Sequence, residues 1–189
     1  MAPLKDGPVR FEVDTAKSYF SVQAFAAGII AVIAHSPKFA VRDFAGEMQF
    51  VPASMEKASV QLTINVGALA IMDEVSKVDR REIERVMFNE VLEKAKYPRI
   101  EYRSSRVSAA KTRENAYRID GDLTLHGITR GMSLDAQIVA SQDTLRAQGS
   151  FSLTQSDYGL KIASVAGGTL KLRDELKCAY FIVGRRQDW

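Results

Sequence analysis

The sequence has few of the residues on which disulfide-linked, metal-binding or membrane-spanning proteins depend. Cys178 is its only cysteine, which excludes an intrachain disulfide and a cysteine-based metal cluster. Two histidines are too few for a usual zinc site without added carboxylates. The longest apolar run, Ala24–Ala34, covers 11 residues and contains Gly28, whereas a membrane helix needs about 18 or more. We therefore expect neither a metal site nor an integral membrane segment.

The chain also lacks a strong excess of charge of either sign. Its 26 Lys and Arg residues against 23 Asp and Glu residues leave a net charge of +3, less than a nucleic-acid-binding domain of this size usually carries. Gly167 and Gly168 are not followed by the Lys-Ser/Thr pair of a phosphate-binding loop. We therefore expect no nucleic-acid partner and no cofactor other than a bound ligand.

Length and composition favour one folded unit. A chain of 189 residues with 46% hydrophobic residues suits a single globular domain. We predict a flexible segment over residues 1–8, one domain over 9–184 and a C-terminal tail over 185–189. The first eight residues contain no basic start followed by an apolar run, as a secretory signal would. The sequence therefore predicts a cytoplasmic protein, or a periplasmic one if a leader has been removed.

Apolar and polar residues alternate along most of the chain, which is typical of strands with one buried face. Clear alternation covers residues 60–66, 117–125, 132–138 and 145–153, and weaker alternation covers 9–14, 18–25, 38–51, 99–109 and 176–183. Short polar connections at 111–115, 126–131 and 141–143 predict antiparallel hairpins. We therefore predict an all-β protein of eight or nine strands that closes into a barrel or a sandwich.

Residues 79–94 differ, because their apolar residues recur at helical spacing. Asp79 followed by Glu82 resembles a capping box, and Tyr97-Pro98 would end the helix. We predict one helix here. A second irregular region, residues 156–168, predicts a loop or a short helical excursion.

Six motifs in order along the chain resemble those of the YceI-like family, and together they cover residues 10–183. They are Ser18-x-Phe20-x-Val22, Asp43-Phe44-Ala45-Gly46 before Met48-x-Phe50, the 79–98 segment, Tyr117-x-Ile119-x-Gly121-Asp122-Leu123-Thr124-Leu125-His126-Gly127-Ile128-Thr129, Ser156-Asp157-Tyr158-Gly159-Leu160 and Arg173-Asp174-Glu175-Leu176. One position departs from the family pattern, since Gln155 stands where many members carry arginine.

The resemblance implies an extended antiparallel eight-stranded lipocalin-like barrel with a minor helical segment near one end. It also implies a lumen that holds a long-chain amphiphile: a polyisoprenoid, a polyprenyl quinone or a fatty-acid derivative. A homodimer is expected from the same resemblance. The chain is therefore predicted to bind, carry or transport a lipid, with no enzymatic activity.

A tail can occupy the lumen only if the barrel's own side chains leave it hollow. Small residues at inward positions favour a narrow tunnel; they are Ala24, Gly121, Ala136, Ala147 and Gly149. The alternative is that Gly121 and Gly149 mark bends or bulges, with no cavity at all. The residues that we predict to line the tail are Phe20, Val22, Phe39, Phe44, Leu62, Ile64, Leu123, Leu134, Phe151 and Phe181.

A polar or pyrophosphate head group is predicted to lie at the mouth of the barrel. The side chains predicted to donate to it are Arg42, His35, Arg130 and Lys161. His35 could instead be a turn residue beside Ser36-Pro37, and Arg42 could be an exposed partner of Asp43.

Two other functions remain open at this stage. A non-lipid, homo-oligomeric interaction module would use the hydrophobic Ile29–Ala34 stretch as a partner-facing patch. A small hydrolase acting on lipid esters would use His35, Ser36 and Asp43, or Cys178 with a histidine. No nucleophile-elbow motif supports the hydrolase.

Overall fold

Extended strands make up most of the chain. The computed structural model describes residues 8–27, 36–51, 54–110, 113–165 and 170–187. Helix α1 (Lys77–Arg85) continues into a π-helical turn (Val86–Val91), and 3₁₀ turns cover Val66–Ala68 and Gln155–Tyr158. The strands are β1 (Val9–Val13), β2 (Tyr19–Ala27), β3 (Lys38–Val41), β4 (Phe44–Val51), β5 (Ser54–Asn65), β6 (Leu69–Ile71), β7 (Arg99–Ala109), β8 (Ala116–Leu125), β9 (Ile128–Ala140), β10 (Thr144–Thr154), β11 (Ser164–Val165) and β12 (Leu170–Gln187).

The strands close into one antiparallel barrel. Pairing runs in the order β1, β4, β5, β7, β8, β9, β10 and β12, and β12 returns to pair with β1, where Arg10 lies opposite Gln187 and Val13 opposite Gly184. The shorter strands β2, β3 and β6 extend β1, β4 and β5 beyond brief interruptions, so that eight long strands surround the lumen. The predicted eight-stranded, lipocalin-like barrel is confirmed.

Side chains carry the hydrogen-bond ladder across these interruptions. Ser18 Oγ accepts from the backbone N–H of Val183 at 2.9 Å and donates to the carbonyl oxygen of Asp14 at 2.7 Å. Asn65 donates to Asp43 twice, from Nδ2 to Oδ2 at 3.0 Å and from its backbone N–H to the carbonyl oxygen at 3.1 Å. These bonds replace ladder hydrogen bonds where the strands are interrupted, so the strands can bend there without opening the barrel.

Strand β12 is longer than its sequence pattern predicted. Residues 185–187, assigned to a C-terminal tail, belong to this strand and form the ladder with β1. The residues Arg185-Arg186-Gln187 are all polar and lack the alternation from which the other strands were predicted. Arg185 is exposed, and its Nε donates to Asp14 Oδ2 at 2.7 Å. The tail prediction was therefore wrong for these three residues, and residues 188–189 lie outside the described part of the chain.

The predicted helix begins two residues earlier and changes type before it ends. Ser76 is its N-cap: Ser76 Oγ accepts from the backbone N–H of Asp79 at 3.1 Å and donates to Asp79 Oδ2 at 2.7 Å. The predicted capping pair of Asp79 and Glu82 was wrong, since Glu82 binds Arg85 at 2.8 Å instead. The helical stretch ends near Glu93, whose φ of 44° lies in the left-handed region.

Two inward-facing glycines make room for tyrosine side chains. A Cβ on Gly149 would collide with the carbonyl oxygen of Asp135 and the hydroxyl of Tyr180, which donates to that carbonyl at 3.1 Å. A Cβ on Gly121 would lie 2.8 Å from the hydroxyl of Tyr102. Each tyrosine therefore lies against the barrel wall over a glycine, an arrangement that lets a sheet curve tightly.

This arrangement predicts that Gly149→Ala destabilises the fold by about 1–3 kcal/mol, because the added methyl must displace a backbone carbonyl or Tyr180. Urea unfolding measures the change. The matched control is Gly131→Ala, where the added Cβ meets nothing within 4 Å and the change should stay within about 0.5 kcal/mol. An equal decrease in the free energy of unfolding of the two variants would contradict the close packing at Gly149.

Candidate ligand-binding cavity

The barrel encloses a cavity of about 330 Å³, within the usual range for ligand sites. Its lining on β10 runs from Leu145 to Leu153. These eight residue steps span about 26 Å along the strand, or about 20 Å along a barrel axis from which the strands tilt by about 40°. The cavity is therefore a long channel rather than a round pocket.

The wall of the channel is almost entirely aliphatic and aromatic. The polar or ionisable residues on it are Gln49, Ser59, Asp73, Tyr102, Gln155, Cys178 and Tyr180. The Tyr102 hydroxyl donates to the carbonyl oxygen of Ile119 at 3.0 Å, so that, like the Tyr180 hydroxyl, it is already satisfied by backbone. Burial raises the pKa of Tyr102 well above its ordinary value and that of Tyr180 to about 12, and both hydroxyls are therefore neutral at physiological pH.

Eight of the ten residues predicted to surround a lipid tail line this channel. They are Phe20, Val22, Phe39, Leu62, Ile64, Leu123, Leu134 and Phe151. They come from six different strands, and strand alternation was enough to assign each to the inner face.

The other two residues do not line the channel. Phe44 is buried, but it packs in the core cluster around Phe11. Phe181 was assigned to the wrong face: it is 37% exposed, and its neighbours Tyr180 and Ile182 line the channel instead. Phe181 is hydrophobic although it lies on the outer face of β12, and its hydrophobicity led to the wrong assignment.

The small inward residues act in three different ways. Ala24 and Ala147 line the channel and leave it open. Ala136 is buried in the core but does not line the channel. Gly121 and Gly149 contribute indirectly, because they accommodate the tyrosines described above and are not themselves part of the described lining.

The helical segment covers one end of the channel. Apolar side chains from this segment and the residues that flank it complete the lining; they are Val75, Ile83, Val86, Met87, Val91 and Leu92. At its start, the guanidinium of Arg80 donates to the carbonyl oxygens of Ile71 and Asp73 at 3.0 and 3.1 Å. Arg80 thereby binds the helix to the end of β6.

A second polar contact holds the other end of this segment. His126 lies in the tight β8–β9 turn with φ 53°, followed by Gly127 with φ 75°, as type I′ hairpin turns require. Its Nε2 is 2.8 Å from Glu93 Oε2, and its Nδ1 is 3.3 Å from the carbonyl oxygen of Tyr158. One ring therefore joins the helical segment, the β8–β9 turn and the 3₁₀ turn after β10.

Three of the four residues predicted to bind a head group do not line the channel. Arg42, Arg130 and Lys161 are exposed, and Arg130 Nε donates to the carbonyl oxygen of Asp157. His35 and the Ile29–Ala34 stretch lie outside the described residues. The polar side chains on the channel near the helix are Asp73 and Gln155, neither of which was predicted from the sequence.

Two features signalled these residues in the sequence. Gln155 directly precedes the Ser156-Asp157-Tyr158-Gly159 motif, and Asp73 follows the short apolar β6. Gln155 is only 4% exposed, and its Nε2 donates to the carbonyl oxygen of Arg173 at 2.9 Å. Asp73 Oδ2 accepts from the backbone N–H of Lys38 at 2.7 Å.

The described residues contain neither a cluster of metal-ligating side chains nor a membrane-spanning helix. Nowhere in those ranges do three or more His, Cys, Asp or Glu side chains group as metal ligands would. No helix found there is both long and apolar enough to cross a bilayer.

Several solved structures share the fold. Burkholderia cenocepacia BcnA aligns at 22% identity with a TM-score of 0.71, over 90% of this chain and 98% of that one. A domain from Saccharophagus degradans, described as a polyisoprenoid binding domain implicated in plant cell wall breakdown, aligns at 13% identity and TM-score 0.67, over 94% and 98%. The Campylobacter jejuni YceI protein aligns at 15% identity and TM-score 0.61, over 79% and 85%.

Sequence comparison assigns the family. No curated protein sequence matches this chain significantly. The family model of the YceI-like domain, however, matches residues 11–179, which is most of the barrel. The chain therefore belongs to the YceI-like family.

Proposed function

We propose that this protein binds a single long-chain lipid by enclosing its tail in the barrel. The observation that carries the proposal is the channel of about 330 Å³, which has an apolar wall along most of the barrel. The S. degradans relative, described as a polyisoprenoid binding domain, supports the same class of ligand. The candidate ligands are a polyisoprenoid, a polyprenyl quinone and a fatty-acid derivative.

Burial of the tail supplies enough free energy for useful affinity. At about 0.8 kcal/mol per buried methylene, ten enclosed carbons contribute roughly 8 kcal/mol, and micromolar affinity corresponds to about −8 kcal/mol. Ordering of the tail and loss of ligand motion oppose this gain, so longer tails should bind more tightly until the channel is full. The affinity therefore needs no charged contact with the tail.

Native mass spectrometry of the purified protein, followed by solvent extraction, tests the proposal directly. We expect a mass increment that extraction removes and that corresponds to one lipid per chain. Protein that carries no lipid and takes up neither a polyprenol nor a long-chain fatty acid would contradict the proposal.

Filling the channel should abolish this uptake. Ala147→Phe places a ring in the lumen, at a packing cost of about 1–3 kcal/mol, and should remove most of the extractable lipid. The matched control is Ala179→Phe on β12, where the exposed side chain lies on the outer face and lipid uptake should be unchanged. Circular dichroism confirms that both variants are folded. Normal uptake by folded Ala147→Phe protein would place the ligand elsewhere.

We propose further that the protein binds its ligand without catalysing a reaction on it. Burial raises the pKa of the Cys178 thiol to about 12, so the residue is a poor nucleophile at neutral pH. Of the hydrolase candidates, Asp43 already accepts from Asn65 at 3.0 Å, and the His126 ring contacts Glu93 and Tyr158. These contacts support a structural role for both residues.

The raised pKa of the Cys178 thiol predicts that the residue reacts slowly with alkylating reagents. Relative to a thiol of ordinary pKa 9.0, a shift to about 12 lowers the thiolate population about a thousandfold at pH 8. We therefore expect N-ethylmaleimide to label native Cys178 at least a hundredfold more slowly than a thiol at exposed position 179, made by Cys178→Ser with Ala179→Cys. Unfolding in urea should make the two labelling rates similar, because it exposes both thiols to water. Comparable labelling rates in the folded proteins would show that Cys178 is accessible and ionised.

A further inference from the structure

We infer that the channel selects lipids whose head group is uncharged and donates hydrogen bonds, such as a long-chain alcohol, over lipids with an anionic head. This inference rests on the proposed function and adds a ligand class to it. Asp73 and Gln155 are the residues that carry it.

Both side chains lie at the end of the channel that the helical segment covers. Asp73 follows β6 and lies where Arg80 binds the helix to the barrel. Gln155 belongs to the 3₁₀ turn whose Tyr158 carbonyl contacts His126, the residue that holds the other end of the segment. A lipid with its tail in the channel would therefore present a head at this end to one or both of them.

Asp73 and Gln155 each have one side-chain oxygen to which no described residue donates a hydrogen bond. The Asp73 side chain accepts through Oδ2 from Lys38, and within the described ranges its Oδ1 has no hydrogen-bond partner. The Gln155 carboxamide uses Nε2 to donate to Arg173, and no described residue donates to its Oε1. No side-chain oxygen that is fully buried in the described residues lacks a partner, so Oε1 is not sealed off. Because Gln155 lines the channel, a donor from a ligand in the channel is its natural partner.

The side chains that line this end also offer no partner to an anion. Among the described lining residues, Asp73 is the one with a carboxyl side chain, and no lysine or arginine stands beside it in that lining. Two cations close to Asp73 are not part of the lining: Arg80 donates to the backbone carbonyls of Ile71 and Asp73, and Lys38 Nζ lies over the Tyr19 ring, 6.0 Å from its centroid. A carboxylate or phosphate head would meet a like charge and two acceptors, whereas a hydroxyl can donate to either.

Competition against a bound fluorescent probe, N-phenylnaphthylamine, tests the inference at pH 8. The competitors are hexadecanol and hexadecanoic acid, which differ only at the head. We expect the alcohol to bind about tenfold more tightly to the parent protein. Asp73→Asn should reduce this ratio to about twofold, chiefly by raising the affinity for hexadecanoic acid. Asparagine keeps an acceptor for the Lys38 N–H but removes the carboxylate.

Two further variants make the test specific. Glu74→Gln removes a neighbouring carboxylate that is exposed and does not line the channel, and it should leave the ratio unchanged. Gln155→Met removes this acceptor and should lower the affinity for the alcohol several-fold, with little effect on the affinity for the acid. Thermal melting confirms that each variant is folded.

The possible outcomes separate this inference from the proposed function. If the probe and both competitors fail to bind, the proposed function itself is wrong. If both lipids bind the parent equally well, or if Glu74→Gln changes the ratio as much as Asp73→Asn, the lipid-binding function stands and the assignment of Asp73 is wrong.

Discussion

Closure of the hydrogen-bond ladder between β1 and β12 is the constraint on which the rest of the structure depends. Once these strands pair, the sheet has a fixed circumference and its inner faces must meet around one axis. Arg10 and Gln187, at the far ends of the chain, lie opposite each other in this ladder. The sequence separation means that the lumen forms only when the whole chain has folded.

A barrel of eight strands can be either filled or hollow, and here the position of the large side chains decides between the two. Tyr102 and Tyr180 lie against the wall over Gly121 and Gly149, where their hydroxyls bind backbone carbonyls. Ala147 contributes only a methyl group to the lining. The interior volume is therefore left to a ligand, and the helical segment covers one end without filling the channel.

For the proposed lipid, the distribution of polarity would give affinity and selectivity different physical origins. Apolar surface along the channel would supply binding free energy that depends on tail length and little on tail chemistry. Asp73 and Gln155 would add few contacts, but an unmatched polar contact with them would be costly inside an apolar channel. Cationic residues such as Arg42 and Lys161 are on the outer surface, where water screens their charge.

The sequence alone determined the strands, because a two-residue repeat records which side of each strand avoids water. It therefore assigned Leu123, Leu134 and Phe151 to the interior, and the ordered motifs indicated the barrel and its family. Alternation failed for Phe181, since an exposed aromatic residue has the same hydrophobicity as a buried one. It also missed the end of β12, whose polar residues are held by pairing with β1.

Only the tertiary structure decided what the interior contains. The local sequence around Gly149 is the same whether the glycine widens a tunnel or accommodates Tyr180, a residue 31 positions away on the neighbouring strand. Likewise, the roles of Asp73 and Gln155 follow from which of their atoms the folded chain leaves unbonded. A hollow and its polar end are properties of many residues brought together across the barrel, and no single segment of the sequence encodes them.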